Sequence, residues 1–250
     1  MKPILGVRYL AFNHDRPLFK NNLQLKKAIN YAIDRRALTA QAGFLAGKRT
    51  DQILPPAMAG FKDADIYPLK GPNFKLAQKM AKGHTGEGKA VLYVANRGPD
   101  PLRAQIIQFD LKQIGLDVEV KQFARAVQIQ KEGTRGEPFD ITSEGWVADY
   151  ADPFDFINVL LSGDSLHDSN NNNVAYFNDP KYNKKMLSAS RLTGDARGTA
   201  YGNLDVDISK NAAPWASYYN LNDRLFVSKR FGCFVFNPIY TVDLAAACLK

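Results

Sequence analysis

The sequence predicts an α/β fold built around a mixed β-sheet. Three observations carry this prediction: a length of 250 residues, an ordinary composition with 45% hydrophobic and 23% charged residues, and apolar segments that alternate with amphipathic ones. A chain of this length can bury roughly 70–75% of its unfolded surface. The composition excludes wholesale disorder, and no stretch approaches 18 uninterrupted apolar residues, so no transmembrane helix is expected. Strands that alternate with helices are typical of the α/β class.

The first third of the chain is predicted to contain one strand, two helices and a long loop. The main helix follows Asn21 or Asn22 as N-cap, and its apolar residues recur every three or four positions. Its other face, with Lys26, Lys27 and Asn30, is expected in solvent. The predicted elements are a strand at Val7–Phe12, a turn at Asn13–Pro17, a helix with the apolar face Leu25, Ala28, Ile29, Ala32 and Ile33, a short helix at 37–46, and a proline- and glycine-rich loop at Leu54–Gly71.

The middle third alternates regularly between helices and strands. Asn73 is expected to cap a helix that Gly83 ends, and Gly115 lies just past the end of the next helix. Leu116–Phe123 alternates apolar with charged or polar residues, which predicts a half-buried strand. The predicted elements are helices at Asn73–Lys82, Pro101–Ile114 and Ala124–Lys131, and strands at Lys89–Ala95, Leu116–Phe123 and Phe139–Trp146.

The last third is predicted to be mainly helical before a short-stranded tail. Asp-Pro pairs at Asp152 and Asp179 are helix-start signals, and four consecutive asparagines indicate a polar loop. The predicted elements are helices at Asp152–Leu161, Asp179–Leu192 and Asp195–Asn211, a loop at Ser169–Asn173, a strand at Trp215–Asn220, and a tail at 225–249 with short strands and one short helix near Leu244.

The formal net charge of +8 is concentrated in the first fifth of the chain. Residues 1–50 hold ten basic and two acidic residues, whereas residues 51–250 hold 23 of each sign. A basic segment can bind nucleic acid or an anionic surface, so such a binder acting through residues 1–50 is one hypothesis. Aromatic residues for base stacking are sparse in this segment, and the solvated face of an amphipathic helix explains much of the charge.

Residues suited to enzymatic chemistry do not form a recognisable constellation. The three histidines stand in separate loops, are expected to be solvated and lack metal-ligand spacing: His14, His84 and His167. The chain contains no GxSxG, Walker or GxGxxG motif. Nearby carboxylates occur at Asp149, Asp152 and Asp155, but nothing marks one of them as a proton donor. We therefore expect no enzyme, no cofactor and no metal site.

The most unusual segment runs from Glu144 to Pro153 and combines a strand end with aromatic and acidic residues. Gly145 permits close approach of another backbone. Trp146 offers a large apolar wall, and Asp149 offers a fixed anion. These are parts of a site for an extended peptide with a free ammonium group. The alternative is a buried tryptophan beside aspartates that cap the next helix, a role that Asp152 fits better than Asp149.

Several segments, in this order and spacing, resemble the C-terminal half of the family 5 extracellular solute-binding proteins, the peptide- and nickel-binding components of ABC importers. The resemblance covers nearly the whole chain. The segments that carry it are Tyr9–Asn13, Leu25–Arg35, Leu54–Pro56, Ala104–Gly115, Phe139–Asp140, Gly145–Pro153, Asn172–Asn173, Tyr176–Pro180 and Ala213–Pro214.

The resemblance implies a ligand site in the segment that starts at Gly145. In the family's peptide binders, the residue matching Asp149 pairs with the ligand ammonium, the strand matching Gly145–Val147 bonds to the ligand backbone, and the residue matching Trp146 lines a side-chain pocket. Tyr150 is included in the expected site. The basic residues that hold the ligand C-terminus in some members are replaced by Thr134 and Ser143, which leaves the adjacent Arg135 as a candidate contact.

The resemblance also implies an architecture, partners and a location. The family fold is a periplasmic-binding-protein type II fold of two α/β lobes. Residues 1–7 would end lobe one or form the hinge, 8–217 would form a near-complete second lobe, and 218–250 would return to lobe one. The expected partners are a short peptide or similar solute and the membrane permease of an ABC importer, with no nucleic acid, and the protein would be a monomer. It would act in the periplasm or outside the cell, anchored to the membrane as a lipoprotein at full length.

The first half of the family pattern, including its signal, is absent from the sequence. A truncated C-terminal portion is therefore expected, and a fragment without function is an alternative. Cys233 and Cys248 lie 15 residues apart, and a disulfide between them would contribute about 3 kcal/mol. The residues alone leave a disulfide and two free thiols equally open. The extracytoplasmic location that the resemblance implies favours the disulfide.

Overall fold

A computed structural model describes residues 2–250. The strands are β1 Lys2–Phe12, β2 Gly47–Arg49, β3 Lys89–Ala95, β4 Asp117–Phe123, β5 Ile141–Val147, β6 Trp215–Asp223, β7 Phe231–Gly232, β8 Phe236–Asn237, β9 Thr241–Val242 and β10 Cys248–Leu249. The helices are α1 Leu23–Ala32, α2 Arg35–Ala40, α3 Phe74–Ala81, α4 Asp100–Lys112, α5 Arg125–Glu132, α6 Phe154–Leu161, α7 Pro180–Ser190 and α8 Gly194–Asn211.

The main sheet has six strands in the order β2-β6-β1-β5-β3-β4. The pairs β2/β6, β6/β1 and β1/β5 are antiparallel, whereas β5/β3 and β3/β4 are parallel. Helix α4 supplies the crossover that a parallel β3/β4 pair requires. The predicted α/β class with a mixed sheet is therefore confirmed.

Two hydrophobic cores lie on opposite faces of this sheet. Side chains of β1 alternate between them: Leu10 and Phe12 pack against α1, α3 and α4, whereas Tyr9 and Ala11 pack against α6, α7 and α8. The Tyr9 ring stacks on Trp215 with centroids 3.7 Å apart. This period of two places β1 in the centre of the molecule and anchors β5 beside it.

Local capping signals predict several helix starts correctly. Asn22, rather than Asn21, accepts the Leu25 amide proton at the start of α1. Asn73 and Asp179 cap α3 and α7 through their side-chain oxygens. Each cap satisfies a backbone donor that the first turn leaves without a helical partner.

The prediction of a solvated face on α1 is wrong for two of its three residues. Lys26 is buried and its Nζ lies 2.8 Å from His14 Nε2, while Asn30 is fully buried. Asn30 Oδ1 accepts a hydrogen bond from Arg35, whose guanidinium also donates to backbone carbonyls. A period of 3.6 residues identifies an apolar face, but it does not show that loops and β6 cover the polar face as well.

The expected solvation of His14 is also wrong. Its Nδ1 lies 2.8 Å from the Phe12 carbonyl and 3.0 Å from the Ala175 carbonyl, so Nδ1 carries the proton and donates. Nε2 is then the acceptor for the Lys26 ammonium. Burial, followed by the Lys26 charge, lowers the pKa of His14 to about 3, so the ring is neutral near pH 7.

Several predicted boundaries need correction. The strand predicted at Val7–Phe12 begins at Lys2, and the helix predicted at 37–46 is α2, which ends at Ala40. Strand β2 was not expected. The short helix predicted near Leu244 does not form within the described chain, where the tail has turns and two small two-stranded sheets.

The tail differs from the rest of the chain in its exposure. Cys233 and Cys248 form a disulfide with their Cα atoms 5.3 Å apart. Large apolar side chains stand in solvent, with Phe226 98% and Leu244 77% exposed. Strand β6 runs through residue 217, the predicted end of the second lobe, and continues in the main sheet to Asp223. The division of the chain into lobe segments stays a prediction. Among residues 2–250, no helix is long and apolar enough to cross a bilayer.

Candidate functional site

Strand β5 has an outer edge that is only partly paired. Strand β1 runs antiparallel to it along Ile141–Val147. On the other side, β3 pairs with β5 only at Ile141 and Thr142. Beyond that point, no strand of residues 2–250 covers the outer edge of β5. An uncovered edge of this kind can accept an extended peptide as an added strand.

The register shows which backbone groups face the open edge. The Ala148 amide donates to the Leu5 carbonyl at 2.8 Å, so Ala148 directs its backbone polar groups toward β1. Alternate residues of an antiparallel strand share this orientation. The backbone N–H and C=O groups of Gly145 and Val147 therefore point away from β1, toward the open edge.

The Arg8 side chain lies so close to residue 145 that only glycine fits there without displacing it. A Cβ atom at this position would lie 2.4 Å from Arg8 Cδ. Arg8 is held there by Asp100, 2.8 Å from its Nη2, and it also donates to the Tyr218 hydroxyl. The sequence predicted that Gly145 admits another backbone; on this face of the strand, it admits the Arg8 side chain.

A buried aspartate shapes the turn after β5. Asp155 Oδ2 accepts hydrogen bonds from Trp146 Nε1 and from the Asp149 amide, both at 3.0 Å. Asp155 is buried, and burial raises its pKa. One carboxylate thus positions both the half-buried indole and the backbone of Asp149. Sequence reasoning noticed Asp155 only as one of several acidic residues, because its partners become apparent only when the turn folds.

The other two acidic residues of the turn have different environments. Asp152 accepts the Phe154 amide proton at 2.8 Å and pairs with Arg197 at 2.7 Å, and the Arg197 hydrogen bond lowers its pKa. Asp149 is exposed, and within the described residues its carboxylate has no hydrogen-bond or ion-pair partner. Asp152 therefore has the capping role that the sequence favoured, and the Asp149 carboxylate is available to solvent or ligand. Tyr150, beside it, is 44% exposed.

A buried polar cluster lies behind the start of the open edge. Arg125 of α5 forms a two-pronged ion pair with Glu144, and Thr142 donates to Glu132. Burial, followed by the Glu144 charge, raises the pKa of Glu132 well above its usual range. Burial also opposes ionisation of Glu144, but hydrogen bonds from Arg125 and Glu132 outweigh it, and its pKa is lowered. The two pKa values are therefore pushed apart, with the proton favoured on Glu132 and the negative charge favoured on Glu144 beside Arg125.

A basic cavity adjoins Gly145 on the Arg8 side. Its volume is about 350 Å³, and it lies where β3 ends and α4 begins. One acidic side chain, Asp100, lines the cavity. Four arginines also line it: Arg8, Arg97, Arg103 and Arg224. Because β3 and β5 are parallel neighbours, the loop after β3 that carries the exposed Arg97 lies at the head of the open edge.

The structure does not bring Arg135 together with these residues. Its guanidinium pairs with Asp15 at 3.1 Å and stacks over the Tyr176 ring. The residues that are brought together are Gly145, Trp146, Val147, Asp149 and Tyr150. Among residues 2–250, no cluster of histidine, cysteine or acidic side chains is arranged to hold a metal ion.

The fold is that of the type II periplasmic binding proteins, and this chain covers about half the length of the solved structures that it matches. A solved structure of a clavulanic acid biosynthesis oligopeptide-binding protein superposes with a TM-score of 0.85 at 19% identity, over 99% of this chain and 47% of that one. The likeness supports the predicted type II fold.

The family model of bacterial extracellular solute-binding proteins, family 5, matches residues 2–168. The chain belongs to this family. A heme-binding protein A of Haemophilus influenzae is 29% identical over 84% of this chain and 38% of its own length. The periplasmic murein peptide-binding protein of Escherichia coli is 26% identical over 94% of this chain and 44% of its own length. The chain thus spans less than half the length of these curated relatives.

Proposed function

We propose that this chain forms the peptide-binding wall of a solute-binding protein that serves an ABC importer. The observation that carries the proposal is the open edge of β5, which ends beside an exposed carboxylate. Val147 directs its backbone N–H and C=O, and Gly145 its C=O, toward the space that a further strand would fill, while the Gly145 N–H already donates to Glu144 Oε2 at 3.3 Å. A short peptide in extended conformation can pair there through main-chain bonds, which do not depend on its sequence.

The charges at the two ends of the edge favour one direction for the peptide. Asp149 would receive the ligand's α-ammonium at the end of β5, and the peptide would then run antiparallel to β5 toward Gly145. Trp146, held by Asp155, would form an apolar wall for a ligand side chain. Tyr150 would border the ammonium site.

The ligand's carboxylate would face a basic region in this orientation. Arg97 is exposed at the head of the edge and belongs to the arginine-lined cavity beside Gly145. We propose Arg97 as the first contact for the carboxylate. Arg135 is the second candidate, and its existing ion pair with Asp15 would have to be exchanged for the ligand.

The relatives support a proposal for the location and the partners of the whole protein. Several are described as periplasmic, and one as a probable ABC transporter component. We propose that the whole protein acts in the periplasm or outside the cell as a membrane-anchored monomer, and that it delivers its solute to a membrane permease. The disulfide between Cys233 and Cys248 fits an oxidising location.

The rival hypothesis of a polyanion binder loses support from the structure. Lys26 and Arg35 are buried, and Arg8 is largely enclosed by Asp100 and Tyr218. These three side chains belong to the basic residues that give residues 1–50 their excess charge. They hold the fold together and do not form a continuous exposed surface.

Calorimetry with a tri-alanine peptide tests the proposed ammonium site. Asp149→Asn keeps the size of the side chain and removes its charge, and we expect affinity to fall by about 10- to 100-fold because a hydrogen bond to a charged group is lost. Asp164→Asn, an exposed change outside the edge, should leave affinity unchanged. N-acetylated tri-alanine should bind the wild type and Asp149→Asn equally. Equal affinity of both proteins for the free peptide would remove Asp149 from the site.

A further inference from the structure

A glutamine of α5 occupies the outer edge of β5 just before Gly145. Gln128 is fully buried, and its Nε2 donates to the Ser143 carbonyl at 3.2 Å. Ser143 is two residues before Gly145, so its carbonyl points to the same open side as those of Gly145 and Val147. That acceptor is already engaged before any ligand arrives.

The Gln128 side chain is fixed by several contacts. Its Nε2 lies 3.1 Å from Glu132 Oε2, 3.2 Å from Thr142 Oγ1 and 3.0 Å from Glu144 Oε1. Its Oε1 accepts from Arg125 at 3.3 Å. Moving this amide aside would leave buried acceptors without a donor, which is costly. The pairing of β3 with β5 ends at Tyr93. Beyond that point, the Gln128 side chain occupies the place beside Ser143 where an added strand would otherwise pair with β5.

We propose that Gln128 limits the length of the peptide that can pair with β5. This inference rests on the proposed function and on a ligand whose ammonium lies at Asp149. Such a ligand pairs first with the N–H and C=O of Val147 and then with the C=O of Gly145, whose N–H is held by Glu144 Oε2. These positions are about 7 Å apart, and three ligand residues span them. The next pairing position, opposite Ser143, lacks a free acceptor. Longer peptides gain no further main-chain bonds to β5.

A series of alanine peptides from two to seven residues tests the inference by calorimetry. In the wild type, affinity should rise with length to a plateau once the Gly145 position is paired. Gln128→Met keeps the buried volume but removes the amide, so the plateau should come two residues later and about fivefold higher, as one added hydrogen bond predicts. Gln130→Met, an exposed change on the same helix, should behave like the wild type.

The outcomes separate this inference from the proposed function. If no peptide binds the wild type, the proposed function and the length limit are both wrong. If peptides bind but the Gln128→Met plateau is unshifted, the length limit is wrong and the peptide site stands. If Gln128→Met does not fold, NMR of the wild type decides: the Gln128 side-chain amide protons should stay protected with a seven-residue peptide bound, and their release would overturn the inference.

Discussion

At the scale of single residues, the site depends on a glycine and an arginine that lie against each other. Arg8 crosses β5 at Gly145 and reaches Asp100 at 2.8 Å, so it links the open edge of β5 to the start of α4. The sequence marked Gly145 as a place of close approach but did not identify Arg8, because the neighbour is 137 positions away along the chain. Long-range packing, not a local pattern, decides what a glycine makes room for.

Gly145→Ala should destabilise the protein by about 1–3 kcal/mol, because the new methyl group would overlap the Arg8 side chain. Urea unfolding followed by circular dichroism measures this change. The matched control is Gly71→Ala, since a Cβ atom at Gly71 has no neighbour within 4 Å. Equal stabilities of the two variants would show that Arg8 moves aside without cost.

At the scale of elements, the sequence predicted where helices start better than it predicted which helix faces are buried. Side-chain caps such as Asn22 and Asn73 depend on residues within one turn, so a local pattern suffices. The burial of Lys26 and Asn30 depends on elements far away in the chain, which the period of α1 does not reveal. The same holds for Gln128, whose importance appears only when α5 packs behind β5.

One contact between elements should make stability depend on pH. Asp110 of α4 accepts the Asp34 amide proton at 2.8 Å, at the start of α2. Burial raises the pKa of Asp110 to about 7, despite the opposing effect of that hydrogen bond. The folded state therefore holds this proton more tightly than the unfolded state. The contribution of Asp110 to stability is fully present below about pH 4 and is lost as the pH rises through about 7.

Asp110→Asn removes this ionisation and keeps an oxygen that can accept the Asp34 amide proton. Its unfolding free energy should match that of the wild type near pH 4 and exceed it by about 1–4 kcal/mol at pH 8. Urea titrations across this range measure the difference, with the exposed Asp63→Asn as the control. A difference that stays constant with pH would contradict the assignment.

At the scale of the whole molecule, the mixed sheet was predictable but its strand order was not. Alternating strands and helices indicate the class, whereas the central position of β1 and the early end of the β3/β5 pairing arise from contacts between distant segments. The open edge of β5 is created by that early end. The resemblance of the Gly145–Pro153 segment predicts a ligand site at this edge, which stays a prediction.

Amide hydrogen exchange measured by NMR tests whether a peptide adds a strand to β5. With saturating tri-alanine, exchange at Val147 should slow by at least about tenfold, because its N–H faces the open edge and would gain a ligand carbonyl. The Trp146 amide faces β1 and should be unaffected. Unchanged exchange at Val147 with the peptide bound would show that the peptide binds elsewhere and does not pair with β5.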